Sequence, residues 1–235
     1  MANSSKPTFY KNAWLYFLIA FLITIAGFYP SYFGRLTETG AAHHFHGITA
    51  TLWMLILVIQ PLLYRNDTIE VHRWIGRSTF FLVPLLIIGG LMMVHMMVNN
   101  EAYGALAYQL GFIDFFVLSQ FLLFYILAIK NVRDTQYHAR YMACTIFGPI
   151  IPALTRLLFH IPWVDTFSIS LHVSYILVEI VIILLILDDR KQGQIRLPYL
   201  LALGLTVTQH GMMHFAANWE WWRSLMDLFG SISFN

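Results

Sequence analysis

Charge is what this 235-residue sequence has least of. Asp, Glu, Lys and Arg make up 11% of it, against about 25% in soluble domains, while 58% is hydrophobic and the mean hydropathy is +0.64. That balance excludes a water-soluble globule. Fourteen Lys and Arg against 12 Asp and Glu leave a formal charge of only +2. With no basic run and no nucleic-acid motif, a nucleic-acid partner is excluded. The single cysteine, Cys144, allows no internal disulfide, no CxxC redox pair and no cysteine-based zinc cluster. Lysine occurs only at Lys6, Lys11, Lys130 and Lys191, at or beyond the ends of the apolar stretches, so a retinal Schiff base in a last helix is excluded. A GxSxG nucleophile elbow and a phosphate loop are missing too. What the sequence does have is histidine, ten of them.

Apolar stretches of about 17 to 25 residues, the length a helix needs to cross a hydrocarbon core roughly 30 Å thick, fall at seven places. They run over 13–29, 42–64, 74–98, 105–129, 138–160, 165–187 and 197–217. The sequence therefore predicts an all-α polytopic membrane protein, one domain of seven transmembrane helices. Residues 1–12 form a tail, with Lys6 and Lys11 ahead of an uncleaved anchor. Residues 219–229 place Trp219, Trp222, Met226 and Phe229 at helical spacing between charged positions, the pattern of a short helix lying in the interface. Lys6, Lys11, Arg65, Arg73, Arg77, Lys130, Arg133, Arg140, Arg190, Lys191 and Arg196 fall on one side of these spans; Arg35, Arg156 and Arg223 fall on the other. Basic residues near span ends stay cytoplasmic, so the N-terminus is expected inside and the C-terminus outside, in the cytoplasmic (inner) membrane. No internal repeat of the inverted-transporter kind is visible.

On that topology eight of the ten histidines share the outer side. His43, His44 and His46 open span two, His95 lies near the outer end of span three, and His160 ends span five. His172 in span six and His210 in span seven each sit roughly 10 Å inside the outer boundary, at a rise of about 1.5 Å per residue. His46 and His95 come out a little shallower, so four helices can present imidazoles to one layer. In Gln209-His210-Gly211-Met212-Met213-His214 two histidines lie one turn apart and project from one face, suited to a single ion. Glu179 follows His172 by seven residues on the same face, two turns deeper, as a second support or a proton route. Asp114 in span four, with Tyr108 and Gln109 nearby, is a carboxylate at a depth that demands a partner or water. The expected cofactor ligands are His46, His95, His172 and His210, a metal ion would be held by His46, His172, His210 and His214, and Asp114 and Glu179 are the candidate catalytic groups.

Other positions read as architecture: Pro149 and Pro152 predict a kink in span five, and Gly148 allows close packing there. Arg156 is placed either to bind an anionic group or to reach the outer interface. Met92, Met93, Met96, Met97, Met212 and Met213 gather near the outer layer, and thioethers beside histidines would suit copper.

The loop His72-Arg73-Trp74-Ile75-Gly76-Arg77, the opening His138-Ala139-Arg140-Tyr141-Met142 of span five and the span-initial His46 together resemble an uncharacterised family of bacterial multi-pass membrane proteins. That family shares a span-initial His, an HRxxGR-like loop and a His-x-Arg-x-Met-like element; the likeness covers roughly 42–160 and implies no activity. Two other groups are similar in part. Transmembrane b-type cytochromes place a histidine pair near each membrane face, which would make His72 with His138 an inner pair and His46 with His95, His172 or His210 an outer one. Span four has no histidine, however, and His72 and His138 lie where Arg73, Arg77 and Arg140 would contact lipid phosphate. The seven-helix alkaline ceramidase and adiponectin receptor superfamily implies zinc on His46, His210 and His214 with Asp114 orienting water. Three functions follow as expectations. The first is a heme b or transition-metal site serving electron transfer, with a redox partner. The second is a zinc-dependent hydrolase acting on a lipid substrate. The third is a cofactor-free, proton-coupled transporter using His172, Glu179, His210 and Asp114.

Overall fold

A computed structural model describes residues 12 to 233; the tail with Lys6 and Lys11 lies outside the described residues. Every described element is helical: α1 (Ala13–Phe28), α2 (Ala41–Arg65), α3 (Ile69–Val98), α4 (Leu106–Lys130), α5 (Thr135–Cys144), α6 (Phe147–Leu158), α7 (Phe167–Lys191), α8 (Leu197–Ala216) and α9 (Glu220–Gly230). Short 3-10 turns cover Phe33–Glu38 and Glu101–Tyr103. Five segments are long and apolar enough to cross a membrane, namely α2, α3, α4, the α5–α6 pair and α7. Helix α1 is apolar but only 16 residues long. Helix α8 has the length, at 20 residues, yet Thr206, Thr208, Gln209, His210 and His214 dilute its apolar character.

The chain divides by its contacts into residues 1–89 and 90–235, and α3 runs from one unit into the other. In the first unit α1 packs on α2. The turn after α2 is closed by Gln60 Nε2 donating to the His72 carbonyl at 3.1 Å and His72 Nδ1 facing the Gln60 carbonyl at 3.4 Å. Farther along, a Cβ on Gly89 would stand 3.1 Å from the His46 Cα, so the glycine lets the α3 backbone come close to α2.

The second unit holds α4 to α9. Span five is broken between Cys144 and Phe147, the expected proline kink: Pro149 has no N–H for the Thr145 carbonyl four residues back, and its ring crowds that carbonyl. Asp134 caps α5 by accepting from the Gln136 and Tyr137 amides, Thr166 caps α7 through the Ile169 amide, and a proline opens α8. Small polar side chains bring α6 and α7 together. Ser170 Oγ donates to the Thr155 carbonyl at 2.5 Å and Thr155 Oγ1 to Ser174 Oγ at 3.1 Å, all three buried. Helix α8 is fixed against α4 by Gln209, whose Nε2 donates to the Ile113 carbonyl at 2.8 Å and whose Oε1 accepts from Gln120 at 3.3 Å.

The expected short helix after span seven is α9, and its apolar side is packed rather than free. Trp222 and Met226 are buried, Trp222 Nε1 donates to the Tyr108 carbonyl at 2.7 Å, and Tyr108 donates to Asp227 at 2.8 Å. The outward side of α7 carries exposed Ile176, Ile180, Val181, Ile183, Leu184 and Leu187. A stripe of that size left in water would be unfavourable, and hydrocarbon is the solvent that suits it.

Candidate functional site

Helix α7 presents His172, Tyr175 and Glu179 at i, i+3 and i+7, one face of the helix. Helix α8 presents His210 and His214 one turn apart, and the Gln209 bonds to α4 set its rotation so that the next residue, His210, meets α7. Two bonds join these groups in one line. His210 Nδ1 meets Glu179 Oε1 at 2.9 Å, and His210 Nε2 meets His172 Nδ1 at 2.9 Å. With Glu179 ionised, its carboxylate can only accept, so His210 carries its proton on Nδ1. Nε2 is then a lone-pair acceptor for the His172 Nδ1–H, and the His172 Nε2 is left as the outer acceptor of the line. Of the expected site residues, these contacts bring His172, His210 and Glu179 together, and His46 and His95 take no part in them.

The rings are also stacked. Tyr175 lies on His210 with centroids 4.5 Å apart and planes at 14°, and His214 lies on His172 at 4.9 Å and 19°. Tyr175 was not among the residues the sequence pointed to, although its spacing from His172 was a readable signal. The His210 and Glu179 side chains are each 18% exposed.

Stacked imidazoles direct their in-plane lone pairs side by side rather than at a common point. Among the described residues no group of three or more His, Cys, Asp and Glu is arranged to hold a metal ion. His172 and His210 spend a nitrogen each on one another, and His210 spends its second on Glu179.

The remaining expected residues lie as follows. Asp114 on α4 is under the charge of Arg156 from α6, and Tyr175 is within the electrostatic reach of both Asp114 and Glu179. His95 joins a different cluster: its Nε2 donates to the Ile232 carbonyl at 2.9 Å and its ring stands edge-on to Phe229 at 5.5 Å, pinning the end of α3 to the segment after α9. His46, in the first unit, has a buried Nδ1 with no hydrogen-bond partner among the described residues. Of the other histidines, His138 Nδ1 donates to the Ala128 carbonyl at 2.9 Å, so this ring ties α5 to α4. Arg140 departs from the lipid-phosphate expectation. It is 1% exposed and paired with Asp189, with Nε at 2.9 and 3.1 Å from the two carboxylate oxygens, while Arg73 and Arg77 do lie exposed. A cation buried so deeply is sustained only by a carboxylate at hydrogen-bond distance.

No protein-family model, curated protein or solved structure matches the chain.

Proposed function

We propose that this chain is a multi-pass protein of the cytoplasmic membrane, with seven spans, the N-terminus inside and the C-terminus outside, that moves protons through the Glu179–His210–His172 line. The observation that carries the reading is the pair of 2.9 Å bonds through the two nitrogens of His210. Both lie within the roughly 2.6–3.2 Å over which a proton passes between heavy atoms. A proton arriving at His172 Nε2 makes that ring cationic, and its Nδ1 proton moves to His210 Nε2. The His210 Nδ1 proton then moves to Glu179. Each ring gains one proton and releases one, leaving the proton on Glu179 and both rings protonated on Nε2; the next proton passes once Glu179 has released its own to the far side and both rings have turned over to bring the N–H back to the Nδ1 position. Ionisable side chains at this depth are costly in a membrane and are kept where they line such routes.

The heme and zinc readings draw less support, because stacking and mutual hydrogen bonds occupy the imidazoles they would use. Protein reconstituted into vesicles loaded with a pH-sensitive dye tests the proposal. Under an imposed pH gradient wild type is expected to carry protons, and Glu179→Gln and His210→Ala to lower the flux by about a hundredfold, the scale of one lost acid–base group. Wild-type vesicles as tight as empty ones would overturn it. A Soret band with stoichiometric iron in the same preparation would favour heme.

A further inference from the structure

We propose that the cleft at the start of α3 is a headgroup site for an aminophospholipid, its phosphate taken by Arg73 and Arg77, its primary ammonium by Glu70, and its acyl chains laid along the same face of the helix.

Helix α3 is longer than a membrane needs. At a rise of about 1.5 Å per residue its 30 residues reach about 45 Å, against a hydrocarbon core of roughly 30 Å. Its charged residues, Glu70, Arg73 and Arg77, all come before Ser78, so the first turns stand in a headgroup layer and the rest crosses. Thr79, Leu82, Val83 and Leu86 are buried, and a Cβ on Gly76 would lie 3.7 Å from the Gln60 side chain of α2, so this face is turned into the protein. Glu70, Trp74, Arg77, Phe81, Leu85 and Ile88 follow one another at intervals of three and four on the opposite face. All six are exposed, Trp74 at 65% and Phe81 at 79%.

An open cleft of about 390 Å³ lies at the charged end, lined by Ile69, Glu70, Arg73, Trp74 and Arg77. That volume is within the range of about 300–1,000 Å³ that holds small ligands. The Arg77 guanidinium stands 5.9 Å from the centroid of the Trp74 ring, at the level where tryptophan rings gather in membranes. Among the described residues no carboxylate pairs with Arg73 or Arg77 and no cation pairs with Glu70, which leaves all three charges to a ligand.

The order of these groups along the axis selects the lipid. Outward from the apolar stripe of Phe81, Leu85 and Ile88, the two guanidiniums come first and the carboxylate last. A phospholipid carries its acyl chains, phosphate and headgroup substituent in the same order. Guanidiniums one turn apart suit a phosphate through charge-assisted hydrogen bonds. The carboxylate beyond them accepts from a primary ammonium, which has N–H donors that a quaternary choline lacks, and finds no cation in a glycerol headgroup. The site therefore favours phosphatidylethanolamine over both phosphatidylcholine and phosphatidylglycerol.

Native mass spectrometry of the full-length protein, with the three lipids added in detergent at matched chain length and concentration, tests this. Wild type is expected to bind phosphatidylethanolamine about tenfold more tightly than either of the others, the scale of one charge-assisted hydrogen bond. Arg73→Gln with Arg77→Gln is expected to lower that binding about a hundredfold. Glu70→Gln is expected to turn the preference to phosphatidylglycerol. These positions are exposed, so the variants are expected to melt with wild type, and Glu70→Gln, which keeps both arginines, carries the test on its own. Equal binding of the three lipids by wild type overturns the proposal, as does a wild-type preference for phosphatidylglycerol. A preference for phosphatidylethanolamine that survives Glu70→Gln, or undiminished binding in the double arginine variant, overturns it as well.

Discussion

Single residues in this protein have meaning through the partner that burial forces on them. Arg140 looks in the sequence like one more basic residue at a span end, placed for lipid phosphate. It lies instead 1% exposed against Asp189, with Arg196 3.7 Å from the same carboxylate and Gln136 accepting from Nη1 at 2.7 Å. Taking one charge from such a pair leaves the other buried and unmatched, a loss of about 3–5 kcal/mol. Asp189→Ala is therefore expected to lower the thermal unfolding midpoint in detergent sharply, and Arg140→Met combined with Asp189→Leu to recover most of the loss. A single variant melting with wild type would contradict the pairing. Helical spacing in the sequence pairs His172 with Glu179 on one helix and His210 with His214 on another, and the bonds and ring stack between α7 and α8 join the two pairs. The partner of His95 could not be read from spacing, since it is the Ile232 carbonyl, 137 positions away and on a segment without any distinguishing motif.

Whole helices show the same contrast between what pattern encodes and what packing decides. Six of the seven apolar stretches each coincide with one helix to within about five residues and the fifth with the α5–α6 pair, while five of these segments are long and apolar enough to cross a membrane. The break in span five, between Cys144 and Phe147, is a proline effect legible in the sequence, since Pro149 acts on the Thr145 carbonyl four residues before it. Near-uniform hydrophobicity hides helix rotation in the sequence, and here a few polar contacts set it. The bonds from Gln209 to Ile113 and Gln120 fix α8, and the Ser170, Ser174 and Thr155 contacts fix α7. Gln209→Leu separates stability from register. Interhelical hydrogen bonds in membranes are worth about 0.6 kcal/mol on average and about 1.7 at most. Melting is accordingly expected to fall only slightly, while proton flux drops severalfold as His210 loses its alignment with His172 and Glu179. Unchanged flux would show that α8 is oriented by something other than Gln209.

For the molecule as a whole, the five long apolar segments make it a membrane-spanning chain, and the placement of its basic residues sets a testable topology. In a Cys144→Ser background, a cysteine replacing Thr68 is expected to react only after the membrane is opened from the inside. One replacing Trp163, which is 92% exposed, is expected to react from the outside with an impermeant reagent. The reverse pattern would invert the chain and the direction in which the line of imidazoles opens. Everything functional in this account depends on that line being hydrogen-bonded along its length. Nitrogen-15 solid-state NMR of histidine-labelled protein in bilayers tests this most directly. Through-bond coupling is expected between His172 Nδ1 and His210 Nε2, with the His210 Nδ1 proton shifted towards the carboxylate and returning to an ordinary position in Glu179→Gln. Uncoupled rings, with a His210 resonance indifferent to Glu179, would contradict the account.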